Sequence, residues 1–295
     1  MLLPTRRNFL HKTSLLAAVA ACGMLPRVAR AAVANRPKLG IQLYSLRGYP
    51  VEEAFSLLRS ALDWCMTHNL RVVVDLHILR SHHFNEEERP LWTDPKAQDH
   101  FLDLWRELSH RLASYPIDRV AYELMNEPVA PDPEDWNRLV ARAVRTVREL
   151  EPERTLVIGS NRWQSVDTFD QLKIPQDDPN ILLSFHFYTP MALTHYRAGW
   201  TKVGEYTGPV HYPGVVVRDE DLAGLSEDLV GALRDSNRHY DREVFASLLE
   251  RPLSLARRLQ LPLYCGEWGV YREAPREPRL RWYRDVRTVF EAHGI

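Results

Sequence analysis

Two short stretches of the chain carry side chains that could move protons: YELMNEP, Tyr122 to Pro128, and LYCGEWG, Leu263 to Gly269. Each brings a glutamate, Glu127 or Glu267, to the end of an apolar run. Taken alone, Asn126 and Pro128 are turn chemistry and Glu127 is a solvated carboxylate. Taken as a pair on different strands of one barrel mouth, the two glutamates suit glycosidic bond cleavage. That reaction needs one acid to protonate the leaving oxygen and one carboxylate to act at the anomeric carbon. Further polar groups end other apolar runs: Asp75 and His77 in one, His186 and Tyr188 in another. By composition Asp75, His77, Glu127, His186 and Glu267 could also ligate a divalent metal, so a metal-dependent sugar isomerase is the competing reading. No cofactor or metal is expected for the two-carboxylate chemistry.

Strand parity is what brings these groups together. The sequence predicts strands over Leu39–Tyr44, Arg71–His77, Val120–Met125, Thr155–Gly159, Ile181–Tyr188 and Leu261–Gly269, because each is an apolar, β-branched or aromatic run bounded by turn residues. Val73, Asp75 and His77 share one face of their strand, as do Ser184, His186 and Tyr188 of theirs, opposite purely apolar sets. Cys265 and Glu267 share a face by the same count. In a parallel barrel the inward residues at strand C-termini line the mouth. Convergence from four strands is harder to explain as solvated loops than any single residue, although for His82 and His83 a solvated loop is the expectation.

Between the strands, apolar residues recur at helical spacing: Phe101, Leu104, Trp105, Leu108 and Leu112 in one segment, Trp136, Leu139, Val140, Ala143, Val144 and Val147 in another, the latter started by Asp132-Pro133. Trp136 is therefore read as core. Alternating strands and helices predict an α/β fold with a parallel sheet. From Thr189 to Tyr240 the alternation stops in a long Gly-, Pro-, Tyr- and Asp-rich segment, which predicts a functional loop.

The chain has 295 residues, 45% of them hydrophobic, enough for a sizeable core. Lys plus Arg (38) nearly balance Asp plus Glu (39), which argues against a nucleic-acid partner. Residues 1–34 differ in character: TRRNFL, Thr5 to Leu10, precedes a short apolar run ending in Pro26 and small-residue cleavage sites, as in a twin-arginine export signal. The expected partner there is the twin-arginine export machinery and the expected location periplasmic or extracellular. The alternative, a lipoprotein site at VAAC, would leave a lipid anchor at Cys22. Cys65, on a helix, and Cys265 are expected to be buried free thiols, and the mature chain a monomer.

Together, VVVDLHIL (Val72 to Leu79), YELMNEP, VIGSNRWQS (Val157 to Ser165), LLSFHFYTP (Leu182 to Pro190) and LYCGEWG resemble a family 5 glycoside hydrolase over roughly residues 60 to 295. The resemblance implies a TIM (β/α)8-type barrel in residues 35–295 and a polysaccharide substrate, with a cellulose-like β-1,4-glucan ahead of mannan or mixed-linkage glucan. It further implies Glu127 as general acid/base with a raised pKa, Glu267 as an ionised nucleophile, and Asn126 on the sugar 2-hydroxyl. His77, His186 and Tyr188 would line the same subsite, with Trp163 and Trp268, ahead of Trp200 and Tyr212, as stacking platforms. Against the family pattern, the second strand with its arginine and the eighth strand are missing, so an incomplete barrel is expected. That leaves a non-catalytic carbohydrate-binding remnant as a further alternative. The stretch LGIQLYSLR, Leu39 to Arg47, resembles instead the opening of sugar isomerase barrels.

Overall fold

The computed structural model describes residues 50–295 apart from residue 84, together with the strand residues Ile41–Gln42. The export-signal reading of residues 1–34, the anchor alternative at Cys22 and most of the first predicted strand lie outside the described residues. Six parallel strands form one sheet in the order β1-β2-β3-β4-β5-β8, where β1 is Ile41–Gln42, β2 Val72–Asp75, β3 Val120–Glu123, β4 Leu156–Gly159, β5 Ile181–Phe187 and β8 Leu263–Trp268. Two short strands, β6 (Gly214–Val215) and β7 (His239–Tyr240), pair antiparallel apart from it.

Helices α1 (Val51–Thr67), α2 (Pro95–Leu112) and α3 (Pro133–Arg148) connect the first strands. The third begins at Asp132-Pro133 as the sequence predicts, and the second begins in the same way. The side chains of Asp94 and Asp132 accept the N–H of Lys96 and Glu134, each at 2.9 Å, and a proline follows at the first helical position. Trp105 and Trp136 are buried in the core, their indole N–H groups donating to the carbonyls of Leu124 and Gly159.

Alternation sorts the sheet into two faces. Val72, Val74, Tyr122, Leu156, Ile158, Leu183 and Phe185 pack under the helices in the main core. Ala121, Val157, Leu182 and Tyr264, with Val73 against them, form a separate small cluster that is the barrel's interior. The pairing climbs from strand to strand: Asp75 is opposite Glu123, Glu123 opposite Val157, Gly159 opposite Ser184, and His186 opposite Glu267. This stagger is the shear of a barrel wall. Among the described residues β1 and β8 are the edges of the sheet and do not meet, so the architecture is an incomplete TIM (β/α)8-type barrel.

Two expectations are corrected. Cys265 and Glu267 do not share a face: the register of β8 against β5 slips between Phe185 and His186, leaving Gly266 as the extra residue of a β-bulge. Tyr264 therefore faces the interior and Cys265 the helices, while Glu267 is re-aimed inward beside His186. Cys65 and Cys265 are both buried thiols, and neither is in a disulfide among the described residues. Second, the segment after Thr189, expected to be a loop, contains regular structure. It holds the β6–β7 pair and a helix, Glu227–Leu233, and its Tyr206, Tyr212, Val216, Val217 and Leu233 are buried. Elements of two to seven residues are too short to show a period, which is why the sequence pattern was blank there.

Candidate active site

The C-terminal ends of β2, β3, β5 and β8 converge on one polar cluster. Glu127 lies four residues beyond β3, at the end of the turn Leu124–Asn126, with φ +45°. A non-glycine residue in the left-handed region costs on the order of 1–3 kcal/mol and persists only where its surroundings hold it. Here its N–H donates to Gln164 Oε1 at 3.0 Å, and its carboxylate Oε1 lies 2.9 Å from His186 Nδ1.

Glu267 approaches from the bulged strand. Its Oε2 accepts the Tyr188 hydroxyl at 2.9 Å and lies 3.8 Å from the same His186 nitrogen. One ligand atom from each of Glu127, His186 and Glu267 lies within 4.8 Å of the others. The bulge glycine makes this approach feasible, since a Cβ at Gly266 would sit 2.6 Å from Ser184 Oγ and 3.2 Å from His186 Nε2. On β2, His77 Nδ1 is 2.7 Å from Asp75 Oδ2.

Burial and mutual charge set the protonation pattern. Burial pushes the Glu127 carboxyl up, and the charge of Glu267 adds to that against the opposing pull of His186. Burial alone would lower His186, but the Glu267 and Glu127 carboxylates around it raise it to about 9, so it is an imidazolium at neutral pH. Below the mouth, burial and the neighbouring Asp75 hold Glu123 at about 8, protonated at neutral pH. For His77, burial is the largest influence and lowers its pKa, but the Asp75 hydrogen bond and the nearby carboxylates win and the net shift is upward. Tyr188 is raised well above its ordinary value by burial and by Glu267, which keeps its hydroxyl a donor.

Asn126 is buried beside Glu127, and its Nδ2 has no hydrogen-bond partner. A buried donor without a partner is uncommon and fits a group that meets a ligand. Trp163 is 42% exposed in the left-handed run Arg162–Gln164 next to the Asn126–Glu127 turn, its N–H donating to the Pro128 carbonyl at 3.3 Å. Trp268 is placed differently: it follows Glu267 on the opposite face of β8 and packs on Trp282, Tyr283 and Phe290, with ring centroids 5.5 to 5.9 Å away. Tyr212 is buried, stacks on Phe245 and donates to Asp285. Trp200 is 51% exposed and edge-on to Tyr271 and His195.

Two residues near the mouth were not legible as such. His82 is not solvated but 1% exposed, with Nε2 accepting the Val129 N–H at 3.1 Å and burial holding its pKa down to about 4. Gln164 contacts three strand-end groups at once. Neither lies in a regular strand, so parity says nothing about them.

Chemically, two carboxyl groups whose oxygens approach within 4.8 Å, one of them raised in pKa, can divide acid and nucleophile roles. The same three donors lie close enough to hold a cation, while Glu127 Oε1 and Glu267 Oε2 are engaged by His186 and Tyr188.

Residues 35–294 match the family model described as Cellulase (glycosyl hydrolase family 5). Among curated proteins the chain is 32% identical over 246 residues to Endoglucanase C of Acetivibrio thermocellus, covering 83% of this chain and 71% of that protein. It is 28% identical over 252 residues to Cellodextrinase A of Ruminococcus flavefaciens, covering 84% and 67%. Among solved structures the cellulose synthase subunit Z of Clostridioides difficile shares the fold with a TM-score of 0.67 at 21% identity, over 87% of this chain and 76% of that one. A hyperthermophilic endo-β-1,4-glucanase does so with a TM-score of 0.62 at 22% identity, over 81% and 67%.

Proposed function

The chain belongs to the cellulase family, glycosyl hydrolase family 5, and from that premise we propose that it hydrolyses β-1,4-linked glucan with retention, using Glu127 as acid/base and Glu267 as nucleophile. The observation that carries this reading is the approach of the two carboxylates to within 4.8 Å around His186 Nδ1. Retaining enzymes hold their carboxyl groups about 5–5.5 Å apart, whereas inverting ones need about 6.5–9.5 Å to admit a water.

In the first step Glu267 attacks the anomeric carbon while Glu127, whose pKa burial raises, gives its proton to the departing glycosidic oxygen. A glycosyl ester on Glu267 results. Glu127, now ionised, then takes a proton from water, which attacks the ester and releases the sugar with its original configuration. Tyr188 fixes Glu267 through its hydrogen bond. The unpartnered Asn126 Nδ2 is suited to donate to the sugar 2-hydroxyl, and exposed Trp163 to stack on a ring. The endoglucanase name of the relative at 32% identity supports a glucan substrate.

Export fits such a substrate. The TRRNFL motif and the apolar run behind it support delivery by the twin-arginine machinery to the periplasm or beyond. Among the described residues no helix is long and apolar enough to cross a membrane.

The test is reducing-sugar release from carboxymethylcellulose by the wild-type protein and by Glu127→Gln and Glu267→Gln, with and without chelator. Loss in both variants and indifference to chelator is expected. Full activity in either variant, or activity abolished by chelator, would overturn the two-carboxylate reading.

A further inference from the structure

Glu127 is held in an unfavourable backbone conformation, so something must hold it there, and its own turn does not. Its N–H points at a side chain from another strand's loop, Gln164 Oε1, at 3.0 Å. The amide of the same residue donates from Nε2 to Glu123 Oε1 and to Ser184 Oγ, each at 3.0 Å. Gln164 is fully buried and itself sits at φ +53°, the last of three consecutive left-handed residues. Its side chain passes directly over Gly159, where a Cβ would lie 2.2 Å from its Cγ. The strand end of β4 thus carries a glycine where the glutamine must lie.

The rest of the segment is laced to the same turn. Asn161 accepts the Ala130 N–H at 2.8 Å and returns a bond to the Ala130 carbonyl at 3.0 Å, and the Trp163 N–H reaches the Pro128 carbonyl. Only a primary amide can accept from a backbone N–H while donating two hydrogens to two oxygens. With Glu123 and Ser184 fixing the nitrogen end, the oxygen end can face only the Glu127 N–H.

We propose that Gln164 is a positioning residue for the acid/base: by bridging Glu123, Ser184 and the Glu127 N–H it fixes the backbone of Glu127 and so aims its carboxyl at the leaving oxygen. The inference rests on the acid/base role proposed above for Glu127. It predicts a defect confined to acid assistance. A substrate whose leaving group needs a proton should suffer, and an activated aryl glycoside, whose leaving group departs without one, should not.

The experiment compares Gln164→Met, Gln164→Glu and Ser184→Ala with wild type and Glu127→Gln, on carboxymethylcellulose and on the pre-steady-state burst from dinitrophenyl β-cellobioside. Gln164→Met should lose about tenfold or more in kcat on the polymer with KM little changed, yet keep the burst rate within about twofold. Gln164→Glu keeps an acceptor for the Glu127 N–H and should recover part of the polymer activity. Equal losses on both substrates, or none, would overturn the proposal. If Gln164→Met shows no cooperative melt, Ser184→Ala decides: it removes one of the two acceptors that orient the amide and should show the same selective loss to a smaller degree, and equal rates on both substrates would again overturn it. Should Glu127→Gln itself retain full polymer activity, the acid/base assignment falls instead, and the two failures are told apart.

Discussion

His186 Nδ1 stands between the two carboxylates of the site, 2.9 Å from Glu127 Oε1 and 3.8 Å from Glu267 Oε2. One imidazolium therefore tempers both charges, and it is raised to about 9 because it does so. In this arrangement the protonation of Glu127 depends on a balance: burial and Glu267 push it up, and His186 holds it back.

Removing that charge should move the alkaline limb of the kcat/KM profile. In the proposed mechanism Glu127 must be protonated to act as acid, so its pKa would govern the loss of activity as pH rises. His186→Asn keeps a hydrogen-bond donor near the Nδ1 position but no charge. Its alkaline limb should lie at higher pH than that of wild type, and a limb that stays in place or moves down would contradict the balance described.

Tyr188→Phe removes only the hydroxyl that donates to Glu267. A hydrogen bond to a charged group contributes about 1.5–3 kcal/mol. If that bond matters most in the reacting state, kcat should fall by about tenfold to a hundredfold with little change in melting temperature. Steady-state kinetics beside a thermal melt measure both quantities.

Gly266→Ala places a methyl 2.6 Å from Ser184 Oγ and against His186. Overpacking of this kind costs about 1–3 kcal/mol. The damage is at the bulge that aims Glu267, so activity should fall further than the urea midpoint indicates. Equal activity per folded molecule would show that the bulge tolerates a side chain.

Arg154 is fully buried, paired with Glu151 at 2.6 Å and donating to the carbonyls of Tyr115, Pro116 and Val120. Breaking a buried pair by removing one partner costs about 3–5 kcal/mol. Glu151→Ala should lower the urea midpoint accordingly while leaving the active site's pH profile unchanged, which an unfolding series checks.

His82 gives the stability a pH dependence of known sign. Its folded pKa is about 4 while a histidine in the unfolded chain titrates near 6.5, so the unfolded state binds the extra proton between those values. The stability it confers is complete above about pH 6.5 and declines as pH falls toward 4, by about 3 kcal/mol in all. His82→Gln should flatten that part of the stability curve, which is measured by denaturant unfolding from pH 7 to 4.

What the sequence determined by itself was whatever depends on neighbours a few positions away. Period-two alternation placed Val73 and Asp75 on one face of β2 and Ser184 and His186 on one face of β5, and Asp132-Pro133 announced the start of α3, because pleat and capping are local geometry. The two glutamate motifs were readable as short strings whose order resembles the family pattern. The tertiary structure decided what depends on distant segments. The bulge at Gly266 reversed the parity that had put Cys265 beside Glu267, since a bulge is fixed by the partner strand and not by the strand's own composition. Trp268, adjacent to Glu267 in sequence, packs in the aromatic cluster of the last helix. The Glu127 N–H is held by Gln164, 37 positions away, and the Val129 N–H by His82, 47 positions away. No periodicity links residues so far apart; only the packing of the barrel brings their hydrogen-bonding groups within reach.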